Sequence, residues 1–182
     1  EYQFLRDKYK IRQIKTPVQF LRMRPGNFPT VRLAQLAMLI HGSIHLFSKI
    51  KELNLASEVE QLFCVTANDF WHYHYRLGNT SAYFEKTLGN RMIQNLLINT
   101  VIPAIFTYGQ YMKDDRQEEK ALRWLEEIKP EDNSIIKIFQ MEEITVENSR
   151  NTQALIELKK NYCDKRRCLE CEIGIKLLSL NP

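Results

Sequence analysis

Apolar and polar positions follow one another along this chain mostly with the period of a helix. The most apolar run starts at Thr30 and reaches Leu53. In it Leu33, Leu36, Ala37, Ile40, Ile44 and Phe47 fall at helical spacing, and Ala34, Met38 and Leu39 widen the face until little polar surface is left. The pattern predicts a central buried helix over about 30–53, bent near Gly42, with Thr30 as its N-cap, since a threonine hydroxyl accepts an orphan backbone N–H. A second central helix is predicted over about 89–112. Pro103 should kink it, because proline removes one ladder bond and clashes with the carbonyl four residues earlier.

Shorter elements surround these two. Tyr2 to Tyr9 reads as a short helix with Leu5 and Tyr9 on one side, Thr16-Pro17 breaks the chain, and Val18 to Met23 suits either a short helix or an extended piece. Ser57 to Phe63 is a helix with Ser57 as cap and Glu60 at the capping-box position. Thr66 caps another, whose body holds Phe70, Trp71, Tyr73 and Tyr75. Asp114 to Ile128 is amphipathic, with Leu122, Trp124, Leu125 and Ile128 inward; Pro130 closes it, and Ser134 to Met141 is helical too. The last segment, NSRNTQALIELKKNYCDKRRCLECEIGIKLL, is a capped helix, a cysteine-bearing link and a final helix. No period of 20–50 residues recurs. The fold class is all-α: an irregular multi-helix bundle around two central apolar helices. The whole of 1–182 is expected to form a single helical domain ending in a cysteine-containing hairpin at 149–180.

Composition agrees with helices. With 182 residues and 44% hydrophobic content the chain can bury one good core or two small ones, and 6 Gly and 6 Pro are few for a protein of strands and turns. The longest apolar region, Met92 to Phe106, is interrupted by Gln94, Asn95, Asn99, Thr100 and Pro103, so no bilayer span is expected. Four cysteines without a signal-peptide pattern suggest reduced thiols or a metal, and hence a cytoplasmic location. Glu1 already lies inside a helical pattern, which suggests either a processed product or, the better reading, the trailing part of a longer protein.

Charge changes the picture more. The net +4 hides an imbalance: residues 1–50 carry nine Lys or Arg against two acids, and residues 51–161 thirteen against seventeen. Such asymmetry points to an anionic partner, nucleic acid above all, or to a solvated basic face. Arg22, Arg24 and Arg32 flank Pro25, Gly26, Asn27 and Pro29, so Arg32 falls in the first turn of a helix, where a cation faces the positive end of the dipole. Two readings follow. Arg22, Arg24, Thr30 and Arg32 form an anion site, because helix N–H groups and guanidinium forks suit a phosphate; or Arg32 pairs with an Asp or Glu elsewhere. The rings of 70–75, interleaved with His72, His74 and Arg76, could stack on bases or pack a core. His41 and His45 stand four apart, but no Glu follows His41 to act as a base, and they read as ordinary.

Cys163, Cys168 and Cys171 are spaced C-x4-C-x2-C beside Lys165, Arg166 and Arg167. A Cys-x-x-Cys at a helix start can present both sulfurs to one ion, with the preceding helix supplying Cys163; zinc or an iron–sulfur cluster would fit. Four ligands are wanted, so Cys64 or a histidine would have to complete the set; without one, these are free thiols packed between two helices. The loop is similar to a shortened iron–sulfur loop of endonuclease-III-type DNA glycosylases, with a shorter first spacing and no fourth cysteine. The chain holds no Ser-His-Asp order, no phosphate loop and no paired-carboxylate site, so catalysis is not expected of it alone.

Three longer phrases carry a closer likeness: RMRPGNFPTVRLAQLA, LLINTVIPAIFTYG and NSRNTQALIELKKNYCDKRRCLECEIG. They resemble the carboxy-terminal half of a family of Bacteroidetes proteins known as domain of unknown function 2851. The resemblance implies an amino-terminal half, absent from this sequence, with acidic and histidine-bearing segments like those of nuclease cores. Two expectations result: a helical accessory domain that holds nucleic acid for a catalytic half, or a structural and protein-interaction module without a ligand.

Overall fold

The structure is a computed structural model describing residues 2–12, 18–20 and 22–179. Thr16-Pro17, the expected break, and Leu21, inside the ambiguous piece 18–23, lie outside the described residues. In chain order the helices are α1 (Tyr2–Tyr9), α2 (Pro29–Gly42), α3 (Leu46–Glu52), α4 (Ala56–Leu62), α5 (Asp69–His72), α6 (Asn90–Leu96), α7 (Ile102–Met112), α8 (Asp115–Glu127), α9 (Ser134–Met141), α10 (Ser149–Leu158) and α11 (Glu172–Ser179). Strands β1 (His74–Arg76) and β2 (Asn79–Thr80) pair antiparallel and make the only sheet among the described residues. The fold is all-α. No described helix is long and apolar enough to cross a membrane.

The chain divides into two compact units, Glu1–Gly42 with Thr66–Thr87, and Ser43–Val65 with Leu88–Pro182. The expected helix over 30–53 is therefore two helices. α2 stops at Gly42, and His45 takes a left-handed conformation (φ 60°) ahead of α3, so His41 and His45 do not share a helix.

In the first unit α2 buries Val31, Ala34, Gln35 and Leu39, while Leu33, Leu36 and Ile40 lie on the outside, Ile40 being 62% exposed. This inverts the expected face. A helix apolar nearly all round gives periodicity no phase to fix, and Gln35 can be buried because its Nε2 donates to the Lys86 carbonyl at 3.0 Å, which removes the cost of hiding an amide. The segment expected as a helix through Tyr75 is instead the short α5 followed by the β1–β2 hairpin, closed by the two-residue turn Leu77-Gly78. Aromatic residues suit a pleated strand at least as well as a helix. The ends of this excursion are tied where Thr66 bridges Thr87, their hydroxyls 2.8 Å apart, and where the Ala67 N–H donates to the Lys86 carbonyl.

In the second unit α6 and α7 form one run joined by a π-helical turn, Leu97–Val101, in which the Ile102 N–H reaches back to the Leu97 carbonyl. Pro103 is thus accommodated by widening the preceding turn. Ile93, Leu97, Val101 and Ile105 form the buried stripe. Gly109 lets α8 approach closely: a Cβ there would stand 2.8 Å from Glu118 Cγ and 3.0 Å from the Glu118 nitrogen. α8 turns Ala121 and Trp124 fully inward and leaves Leu122, expected inside, at the surface. Burying a ring of that size contributes about 2–3 kcal/mol. The same face satisfies the backbone between α3 and α4: Trp124 Nε1 donates to the Asn54 carbonyl at 2.8 Å, Lys120 Nζ donates to the Lys51 carbonyl, and a Glu127 carboxylate oxygen accepts from the Ala56 N–H. The capping carboxylate of α4 is Glu58, which accepts from the Asn54 and Leu55 N–H groups; the cap is Leu55, two residues before the expected Ser57, so Glu60 is too far along.

Candidate functional site

The Arg-rich turn of the first unit is a 3-10 turn, Pro25–Asn27, from which the chain enters α2 directly at Pro29. Thr30 is accordingly inside the helix. Its hydroxyl donates to the Tyr75 carbonyl at 2.6 Å, so it docks α2 on the hairpin instead of capping the helix. Arg32 remains in the first turn, half-buried, with Nη1 donating to Gln35 Oε1 at 2.9 Å and Nη2 to Asn27 Oδ1 at 2.5 Å. Neither partner is a carboxylate, contrary to the internal ion pair considered from sequence. Burial draws the guanidinium below its ordinary proton affinity, yet it stays charged, because an arginine is not deprotonated in proteins.

The same unit holds two further cations, Arg76 on the hairpin and Lys86 beyond it. The Arg76 guanidinium lies 4.4 Å from the ring centre of Phe20 and 5.1 Å from that of Phe28. Lys86 is 2% exposed; its ammonium donates to the carbonyls of Phe84 and His72 and sits 3.9 Å from the ring centre of Tyr75. Burial lowers its proton affinity. Phe28 meets Tyr75 edge to face at 6.3 Å, which joins the Arg76 and Lys86 groups into one cluster. Tyr73 and Tyr83 pack edge to face at 5.3 Å beside it and are both half-exposed or more. Among the described residues none of Arg22, Arg24, Arg32, Arg76 or Lys86 forms an ion pair.

Of the four residues expected to bind an anion, all lie in this unit, and Thr30 and Arg32 are drawn to the hairpin network; Arg22 and Arg24 are exposed on the approach to it. Sequence reasoning missed Lys86 and Gln35. Gln35 has no local signal, since the carbonyl it donates to, that of Lys86, lies 51 positions along the chain; Lys86 meets Phe84, His72 and Tyr75 only once the segment around the hairpin has folded. The charge asymmetry follows the units: the first holds ten Lys or Arg against four Asp or Glu, a net +6, and the second sixteen against eighteen, a net −2.

The second unit holds the cysteine segment. α10 runs into a π-helical turn, Lys159–Cys163, and a 3-10 turn, Cys168–Glu170, precedes α11. Cys163, Cys168 and Cys171 line one apolar cavity of about 380 Å³ with Phe139, Leu155 and Leu177. All four cysteines are free thiols, and Cys64 is not among those lining the cavity. Among the described residues no group of three or more His, Cys, Asp or Glu stands in an arrangement that could hold a metal ion. Lys165, Arg166 and Arg167 are exposed, and Arg167 bonds Glu170.

Searches of curated proteins and of solved structures returned no match. A family model does match, over residues 1–134, which includes the whole Arg32–Lys86 network and ends before Cys163, Cys168 and Cys171. That is well over half of the chain, and the chain therefore belongs to the family described as "Protein of unknown function (DUF2851)".

Proposed function

We propose that the chain is a helical accessory part that holds nucleic acid through its first unit, next to a catalytic part supplied by the amino-terminal half of a longer Bacteroidetes protein. The observation that carries this reading is Arg32: a cation in the first turn of a helix, fixed by two neutral amides, in a unit of net charge +6. A cation there is opposed by the helix dipole and, without a carboxylate, gains from an incoming anion. Two of the five guanidinium N–H groups are used by Asn27 and Gln35, which hold the fork in place and leave donors for a phosphate. Arg76 adds a second charge held by rings, and the exposed Tyr73 and Tyr83 offer faces on which bases can stack.

The test is equilibrium binding of labelled single- and double-stranded oligonucleotides across a salt series. Arg32→Ala should weaken binding and reduce the slope of log K against log salt by about one, the signature of one lost phosphate contact. Unchanged affinity and slope, in a variant shown to be folded, reject the reading. One observation favours a second reading, an interaction module without a ligand: Leu33, Leu36 and Ile40 form an exposed apolar stripe on α2. Leu36→Glu should abolish any self-association under that reading and leave it unchanged under the first.

A further inference from the structure

We propose that Cys168 and Cys171 are a thiol-oxidation site, forming a reversible disulfide when the protein meets a hydroperoxide. The two residues are the ends of one 3-10 turn, closed by a hydrogen bond from the Cys171 N–H to the Cys168 carbonyl at 3.4 Å. In such a turn the side chains at i and i+3 eclipse, and three residues rise about 6 Å. That lies inside the Cα separation of about 4.4–6.8 Å over which a disulfide closes without moving the backbone. Both residues line the same cavity. Cys168 is exposed and Cys171 half-buried, which gives an oxidant access to the first and keeps the second beside it.

The turn itself is held firmly. Gly174, in the first turn of α11, presses on Cys168: a Cβ at 174 would stand 2.3 Å from the Cys168 carbonyl oxygen. The Arg167 N–H donates to the Tyr162 carbonyl at 2.9 Å and ties the segment to the π-helical turn that follows α10. A thiol pair fixed in this way closes a ring with little ordering cost. Cys163 lines the same cavity from the π-helical turn and belongs to a different turn, so it is not the resolving thiol.

The chemistry balances as follows. The Cys168 sulfur, as thiolate, attacks the outer oxygen of the hydroperoxide; the O–O bond breaks, an S–OH group forms, and the displaced alkoxide or hydroxide takes a proton and leaves as alcohol or water. The Cys171 sulfur then attacks Cys168; the S–S bond forms as the S–O bond breaks, and the departing hydroxide takes the Cys171 proton and leaves as water. Two thiols are oxidised and one hydroperoxide is reduced.

The experiment uses the full chain, reduced, freed of reductant and treated with stoichiometric hydrogen peroxide. Two thiols should be lost in free-thiol titration, peptide mapping should find the Cys168–Cys171 link, and a dithiol reductant should restore both. Cys163→Ser should leave the cross-link intact. Cys171→Ser should instead leave a sulfenic acid at Cys168 that a dimedone probe traps, with the helical dichroism unchanged. No thiol loss in the wild-type chain, a link through Cys163, or zinc released stoichiometrically when the three thiols are modified would each overturn the proposal.

Discussion

Lys86 is the residue on which the hairpin's packing turns. A buried ammonium held by two carbonyls and a tyrosine face needs all three, because a cation taken out of water without partners is costly. Lys86→Met keeps the stem and removes the donors, leaving the Phe84 carbonyl unmet while the His72 carbonyl keeps only the Phe84 N–H; stability in urea should fall by about 2 kcal/mol. Glu58 makes a pH-dependent contribution. The Leu55 N–H, and then the Asn54 N–H, hold its carboxyl below the ordinary value of 4.5. The unfolded chain therefore binds more protons in this window, so the stabilisation is present above about pH 4.5 and is lost as pH falls towards the lower folded value. Glu58→Gln should flatten an acid-unfolding profile below pH 4.5 relative to the wild type; superimposable profiles would remove Glu58 from the account. Arg32 could be singled out from sequence, as a cation in a first helical turn. Its amide partners could not, because Gln35 looks like any polar residue until the Lys86 carbonyl is brought to it by the fold.

Between elements, α7 and α8 depend on the missing side chain at Gly109. Adding a methyl there meets Glu118 and the Asp114 carbonyl at 3.1 Å, and two helices would have to separate. Gly109→Ala should cost about 1–3 kcal/mol in a denaturant titration, despite alanine's better helix propensity. The N-caps of α9 and α10 are Asn133, which accepts from the Ile135 and Ile136 N–H groups, and Asn148, which accepts from Asn151. Asn133→Ala should cost about 1 kcal/mol. These later helices were legible because the proline stop at Pro130 and the apolar spacing agree; their asparagine caps were identified by the structure. The break after α2 was not. Gly42 marked the place, but a bend and a break look alike in sequence, and the left-handed turn at His45 decided between them.

For the molecule as a whole, the helical class makes a direct prediction: far-ultraviolet dichroism should carry the paired minima of helix, and a strand-dominated spectrum would contradict the described fold. The division into units gives the basic amino end a structural meaning, since Arg76 and Lys86, far along the chain, join the early arginines in the +6 unit. By itself the sequence determined that the chain is helical, where α8 to α11 lie, that positive charge gathers early, and that three cysteines fall together. Those properties are local: period, caps and composition act within a turn or two of each residue. Tertiary structure alone decided which side of α2 is buried, that the aromatic segment folds into a hairpin, and that Arg32 rests on amides while Lys86 is enclosed. Each depends on which group the fold brings to a polar atom: the Lys86 carbonyl to Gln35, which in turn holds Arg32, the Tyr75 carbonyl to Thr30, and the His72 carbonyl to the Lys86 ammonium; a polar side chain is buried where its hydrogen bonds are met.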